Sequence, residues 1–417
     1  SLKDVPAQYL QAFCFRHVVK NSGIDPAQID EVVSGNICQP VANIARVSAI
    51  HAKIPTRVPA RTVARNCASG IEAITSACQA GMAGDGDIFL VGGTESMSQV
   101  PYVIKDARFG LKIQNHIVTD SLWEGLFDSN VKQMMGRTAE SIAQKWRITR
   151  DEQDEYAVRS HRKACDARRN QRFDSQIYPI KIQNRMRVRG GAESVEKLIP
   201  GSQVVFSQDE SPNDKLVENP GLASTAPTVF MNERIMDPVE SGIDTYIDKK
   251  TGTFVIERTF NLDGTVTPTN ACPMNDGAAA LMIMTEEKAI AMGLTPLAFI
   301  VSYAYTGCDP ALMGEGPITA VPAALTKGGL KIDDIDYFEL NEAFACQAIA
   351  CQRGLHIPDE KLNIWGGAIA LGHPVGATGS ILVVKAMHIL REYNKRYAAI
   401  TMCVGGGQGG CLIIERV

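Results

Sequence analysis

Four side chains in this sequence have the types and settings for acyl chemistry: Cys67, His373, Cys403 and Asn341. Cys67 lies in Thr62-Val63-Ala64-Arg65-Asn66-Cys67-Ala68-Ser69-Gly70, between a β-branched run and a helix that is apolar on nearly every side. Nothing bulky follows the sulfur. A helix beginning there offers unpaired N–H groups and a partial positive charge. Both lower a thiol pKa and favour the nucleophilic thiolate. The same amides can hold an oxyanion on an acyl group that the sulfur attacks. Taken alone, Cys67 also reads as a plain buried cysteine.

His373 stands in Gly372-His373-Pro374, after a glycine-rich run that starts at Gly366. Pro374 pushes His373 toward extended backbone. An imidazole fixed at such a turn serves as base for a thiol or as donor to a carbonyl oxygen; the competing reading is a core histidine with satisfied nitrogens. Cys403 ends a strand against Gly405-Gly406-Gly407, and strand ends are where α/β sites collect. Asn341 follows a strand in Leu340-Asn341-Glu342-Ala343-Phe344. It can hold a water or polarise a carbonyl, although an Asn there is commonly a turn former. Together the four residues supply one nucleophilic attack and two proton transfers without a metal.

The elements that must position them read as two related halves. Residues 70–83 form an apolar helix that leads to a buried strand at 87–91 and two glycines. Residues 380–391 repeat the helix and 398–402 the strand, closed by three glycines. A second echo links Ile24–Asn36 with Ile332–Asn341, each a turn followed by a short strand. Helices apolar all round belong inside a protein, and helix–strand alternation with buried strands predicts α/β layers. The region 98–274 differs. Residues 101–200 carry 19 bases against 13 acids, which suits an inserted surface domain. Within it, Thr149-Arg150-Asp151-Glu152 predicts a capping box that opens a helix to about Asn170. Residues 201–260 read as surface loops and short strands.

The chain has 417 residues, a net charge of −4 and a pI of about 6.0. That balance excludes a general nucleic-acid binder. No apolar run approaches the roughly 20 residues a membrane helix needs, and no signal peptide is expected at its start. Eleven scattered cysteines, without a C-x-x-C pair or zinc-like histidine spacing, do not read as a disulfide framework or a metal site. A reducing compartment is expected.

The sequence resembles the thiolase family over nearly its whole length. The resemblance rests on six blocks in order: Asn66-Cys67-Ala68-Ser69-Gly70, Gly92-Gly93-Thr94-Glu95-Ser96-Met97-Ser98, Asn275-Asp276-Gly277-Ala278, Asn341-Glu342-Ala343-Phe344-Ala345, Gly372-His373-Pro374 and Cys403-Val404-Gly405-Gly406-Gly407. It implies an α/β fold with five αβαβα layers from two similar halves. The first half would span 1–97, completed by about 275–296, and the second 297–417, with 98–274 a loop domain over the coenzyme A site. It also implies an acyltransferase that cleaves 3-oxoacyl-CoA with CoA, or condenses acetyl-CoA in reverse, through an acyl-cysteine. Cys67 would be the nucleophile, His373 its activator and Cys403 the second acid/base. Asn341 would hold a water that joins His373 in one oxyanion hole, and the amides of Cys67 and Gly405 would form the other. Met134, Cys272, Met313 and Phe344 would line the acyl and pantetheine pocket. By the same resemblance CoA is a substrate, no cofactor or metal is bound, and the expected partners are CoA, acyl-CoA and like subunits in a homodimer or homotetramer. The segment 98–125, with Tyr102 and Trp123, would supply a tetramer contact. The cytoplasm is expected, or a mitochondrial matrix or peroxisome in a eukaryote.

Four departures from the family pattern stand out. The chain opens at Ser1-Leu2-Lys3, where the family would already have laid down a core strand, so an absent strand is expected. Met134 replaces the histidine usual in short-chain thiolases, and Cys272-Pro273 replaces their Ser-Gly. The Pro version resembles degradative, longer-chain members. The stretch from about 185 to 258 is longer than the usual loop domain. Two other readings fit a reactive cysteine on this core: a decarboxylating ketoacyl synthase-like condensing enzyme, and a silent acyl-CoA or lipid binder.

Overall fold

The two helix–strand units that echo each other in sequence fold into equivalent places. The computed structural model describes residues 1–105, 107–113, 115–190, 193–229 and 264–417. The first half runs α1 (Ala7–Ser22), β1 (Glu31–Gly35), α2 (Ile44–His51), β2 (Ala60–Val63), α3 (Ser69–Ala83) and β3 (Ile88–Ser96). After the intervening region come α4 (Met135–Trp146), α5 (Arg150–Arg169) and β4 (Asp276–Met284). The second half runs β5 (Ala298–Gly307), α6 (Gly316–Gly328), β6 (Tyr337–Leu340), α7 (Ala345–Leu355), α8 (Val375–Glu392), β7 (Tyr397–Val404) and β8 (Gln408–Arg416).

Each half builds a four-stranded sheet, in the orders β4-β3-β1-β2 and β5-β8-β7-β6. β1 pairs parallel with both β2 and β3, and β4 closes antiparallel on β3. In the second sheet β6 and β7 are parallel while β8 pairs antiparallel with β7 and β5. Thus β1, β3 and β4 match β6, β7 and β8, and the turns at Pro26–Gln28 and Ile332–Asp334 match each other. The far side of β4, where β8 finds β5, has no paired strand among the described residues. A cavity of about 500 Å³ runs along Asp276–Ala280 there.

The layers follow from which helices are apolar all round. α3 and α8 pack on each other between the sheets, and their side chains join Val33, Phe89 and Val91 of one sheet to Ile400, Leu412 and Ile414 of the other. α1 and α2 cover the outside of the first sheet, with Phe15, Ile29, Val32 and Leu90 in that layer. α6 covers the second sheet and α7 packs beside it against α4 and α5, around Val321, Leu340 and Ile349.

In the intervening region Thr149 and Glu152 form the capping box expected from their spacing, and α5 ends at Arg169. A hairpin of Ile180–Gly190 with Glu193–Phe206 and a short helix at Asp214–Glu218 occupy part of the stretch expected to be loops and short strands. The rest of the long 185–258 segment, from 230 onward, lies outside the described residues. In the second half α8 begins at Val375, one residue before Gly376.

Candidate active site

Cys67 sits two residues ahead of α3 in a turn braced by its neighbours. Ser69 Oγ accepts from the Arg65 amide at 2.8 Å and donates to the Asn66 carbonyl at 2.7 Å. Arg65 reaches Glu72 at 2.7 Å and lies 4.0 Å over the Tyr305 ring. Asn66 takes a left-handed φ of 44°, which Asn tolerates better than most residues.

Burial raises the Cys67 thiol above its ordinary pKa, and the N–H groups of Gly405 and of Cys67 itself, which pull the other way, do not overcome it. The lowering expected from amides at the helix start is present, but burial outweighs it. Cys67 is half-buried in a crowded setting, where two amide donors recover less than desolvation of an anion costs, so the sulfur rests as a thiol. Cys403 is fully buried near the end of β7. Burial and then the adjacent Cys67 push its thiol well above the ordinary range, so its environment raises rather than lowers its pKa. Two thiols to which sequence reasoning gave no acid/base role share the site. Cys272 is pushed up to about 12 by burial and then by Cys67. Cys38 is pushed up to about 12 by burial, Glu95 and Cys67.

His373, just ahead of α8, is 5% exposed. Its Nδ1 lies 2.6 Å from Thr378 Oγ1, whose own proton goes to the Pro374 carbonyl at 2.9 Å. The hydroxyl can then only accept from the ring, so Nδ1 carries the hydrogen and Nε2 the lone pair. Nε2 faces Asn341 Nδ2 at 3.4 Å. Burial lowers the imidazole to about 4, so it is neutral at pH 7 and ready to take a proton. Asn341 hangs from the end of β6, its amide N bonded to the Thr401 carbonyl at 3.0 Å. Its Oδ1 is buried and without a partner among the described residues. A polar ligand or water at that point would satisfy it.

Two buried carboxylates bracket the His373 loop. Upstream, Glu342 accepts from Ile369 N at 3.2 Å, Asn363 Nδ2 at 2.8 Å, Tyr156 OH at 3.2 Å and Ser160 Oγ at 2.6 Å. Downstream, Glu95 accepts from Gly376 N at 3.0 Å, Ile37 N and Cys38 N at 3.1 Å, and Asn36 Nδ2 at 2.9 Å. Asn275 Oδ1 accepts from the His373 amide at 3.2 Å. Thr378, Glu95 and Asn275 received no role from the sequence. The one legible signal was a hydroxyl residue five positions after His373, inside the first turns of the helix.

The pocket residues divide. Met313 and Phe344 share one apolar cluster with Cys403. Ala271 bridges Phe344, and the Cys272 amide donates to the Ala343 carbonyl at 3.0 Å. Met134 is buried in a hairpin of Phe127–Asp128 with Gln133–Met134. Met135 is the methionine beside the glycine turn: a side chain added at Gly405 would stand 3.4 Å from its sulfur. Among the described residues, no group of three or more His, Cys, Asp or Glu could hold a metal ion, and no helix is long and apolar enough to cross a membrane.

The model of the thiolase N-terminal domain matches residues 1–229 and 244–287, and that of the thiolase C-terminal domain matches 294–416. A probable acetyl-CoA acyltransferase of Staphylococcus epidermidis is 39% identical over 417 residues, covering 99% of this chain and 94% of the relative. The crystal structure of a Bacillus anthracis acetyl-CoA acetyltransferase superposes with a TM-score of 0.86 at 35% identity, over 100% of this chain and 94% of that one. Human mitochondrial 3-ketoacyl-CoA thiolase, in complex with CoA, superposes at 0.85 with 34% identity, over 100% of this chain and 93% of that one.

Proposed function

This chain belongs to the thiolase family, and on that premise we propose how its site residues divide the reaction. The protein has the thiolase fold and is an acyltransferase: it cleaves 3-oxoacyl-CoA with CoA, or runs the reverse Claisen condensation. Coenzyme A is its substrate. The observation that supports this assignment of roles is that Cys67, the Gly405 N–H and Cys403 lie in one site, while His373 Nε2 faces Asn341 at 3.4 Å.

His373 Nε2 takes the Cys67 proton as the sulfur attacks the 3-oxo carbon. Both groups are neutral at rest, so the charges appear only when substrate is in place. The amides of Cys67 and Gly405 receive the oxyanion, each such donor being worth about 3–4 kcal/mol. The bond between the 3-oxo carbon and C2 breaks, leaving an acyl-Cys67 and an acetyl-CoA carbanion. The Cys403 thiol protonates that carbon. Acetyl-CoA departs, and the Cys403 thiolate takes the proton of incoming CoA, whose sulfur attacks the acyl-Cys67. Cys67 leaves as thiolate and recovers its proton from His373. The buried Asn341 Oδ1 would orient a water toward the enolate oxygen, with His373 beside it. No resident cofactor or metal enters this scheme. Met134, Met313, Phe344 and Cys272 would line the acyl and pantetheine path.

Residues 98–274 would cover the CoA, between halves spanning 1–97 with about 275–296 and 297–417. Tyr102, Leu111, Ile113, Ile117 and Val118 are all more than half exposed, and Phe109 is 92% exposed. Such an apolar surface suits a subunit contact in a homodimer or homotetramer. Phe109→Ser should lower the assembly mass in light scattering, and an unchanged mass would remove this surface from the interface. Eleven unbridged cysteines suit a reducing compartment, the cytoplasm or the matrix of an organelle.

The test is CoA-dependent loss of 3-oxoacyl-CoA absorbance across acyl chain lengths. Turnover on at least one length is expected, with longer chains favoured. Folded protein without turnover on any length would refute the assignment.

A further inference from the structure

We propose that Asn66 is a positioning residue for the oxyanion hole: its side-chain amide fixes Gly405, whose N–H faces the Cys67 sulfur. The proposal rests on the thiolase reading for its catalytic meaning, though not for its geometry.

Gly405 opens a turn that has little of its own to hold it. Val404 before it is fixed by its pairing with Gln408. Beyond it, Gly406 and Gly407 take φ of 89° and 79°. A Cβ on Gly406 would meet nothing within 4 Å, so packing does not confine that residue. Consecutive glycines lose the most conformational freedom on ordering. The far end is anchored by Cys308 N donating to the Gly407 carbonyl at 2.7 Å. Between the anchors, the hydrogen bond reaching the turn among the described residues is Asn66 Nδ2 to the Gly405 carbonyl, at 2.8 Å.

The backbone that carries the donor is itself held in place. Asn66 is locked by its left-handed φ of 44° and by its carbonyl, which accepts Ser69 N at 3.0 Å and Ser69 Oγ at 2.7 Å. It also directly precedes Cys67. One residue therefore fixes the nucleophile's turn on one side and reaches across to the carbonyl of its oxyanion donor on the other. With Val404 held by the ladder, pinning that carbonyl leaves Gly405 little rotation, and its N–H stays aimed at the sulfur. Asn suits both tasks, since it accepts the backbone conformation and carries the amide at the right length.

The test compares Asn66→Gly with Asn66→Ala. Glycine keeps the backbone conformation and deletes the tether, whereas alanine deletes the tether and strains the backbone. Losing a whole oxyanion donor costs roughly 10²–10³ in kcat. Loosening one while leaving it present should lower kcat about tenfold in N66G, with KM unchanged. The pH midpoint of Cys67 alkylation by iodoacetamide should also rise in N66G, because the thiolate loses a preorganised N–H. N66G with the parent's kcat and alkylation midpoint would overturn the proposal. So would a defect confined to N66A, since it would show that the position needs only the backbone conformation. Alkylation requires no turnover. A parent protein inactive on every acyl-CoA but with a midpoint that moves in N66G would sink the thiolase roles and leave the tether standing.

Discussion

Gly70 and Gly379 lie backbone against backbone where α3 and α8 cross. A Cβ on Gly70 would stand 2.5 Å from Ser380 N, and one on Gly379 would stand 2.9 Å from the Gly70 carbonyl carbon and 2.8 Å from Ile71 Cγ1. Ser380 Oγ completes the crossing by donating to the Gly70 carbonyl at 3.1 Å. Glycine inside a helix is disfavoured against alanine by about 0.5–1 kcal/mol, so these two positions give up local stability for close approach. The crossing lies three residues downstream of Cys67 on one strand-to-helix segment and six downstream of His373 on the other, so it fixes the Cys67 turn relative to the His373 loop.

Gly379→Ala should therefore fail in two measurements at once. Forcing a methyl into a filled crossing destabilises by roughly 1–3 kcal/mol, which should lower the thermal midpoint. Separating the helices should also reduce kcat beyond what the folded fraction explains, checked by assaying well below the transition. A stable variant with normal kcat would mean that Cys67 and His373 are positioned independently of the crossing.

The two catalytic sulfurs should separate by partial reaction. Cys67→Ala removes the acyl acceptor, so neither turnover nor an acyl-protein adduct should be seen by mass spectrometry. Cys403→Ser should lower kcat by about 10²–10⁴, the usual worth of a positioned acid or base. Near-normal activity of that variant would favour the decarboxylating condensing enzyme, which draws its carbanion from loss of carbon dioxide and has no need of a second thiol.

Much of this site was legible because chemistry and backbone constrain the same residues. A thiol followed by small residues, an imidazole held before a proline and a second thiol before three glycines are each recognisable locally. The layers were legible because α3 and α8 are apolar all round and so must lie between the sheets. What stayed hidden depends on distance in the chain. The Cys67 pKa turns on how deeply the folded halves bury it, which no neighbouring residue reveals. Glu95 gathers its donors from residues 36–38 and from Gly376, 281 positions away. Met135 reaches the turn at Gly405 from 270 positions away, a contact that spacing along the chain does not announce.

Thr378→Val tests the ring tautomer. The valine keeps the shape of threonine but cannot accept from Nδ1–H, leaving a buried donor unmet or the hydrogen moved to Nε2. Either outcome weakens His373 as base for Cys67, and kcat should fall about tenfold to a hundredfold. Thr378→Ser keeps the hydroxyl and should recover most of the rate. Equal kcat in the valine and serine variants would mean that something other than Thr378 orients the ring.

Glu95 joins the halves through four donors, and its titration gives the final test a definite sign. Burial holds this carboxyl up at about 7, against an ordinary value of 4.5. Between those pH values the fold keeps a proton that the unfolded chain releases. The resulting stability is fully present below 4.5 and is lost as pH rises through about 7. Glu95→Gln cannot titrate, so it does not suffer that loss. It also offers four donors one oxygen instead of two, and an unmet buried donor costs about 1–3 kcal/mol. The variant should therefore be less stable than the parent at pH 5, with the gap narrowing by pH 8 in urea denaturation. His161 and His373, both lowered to about 4 by burial, destabilise as pH falls from 6.5. They do so in both proteins and cancel in the difference. A gap that widens with pH would mean that the four donors hold Glu95 ionised, and that they outweigh its burial.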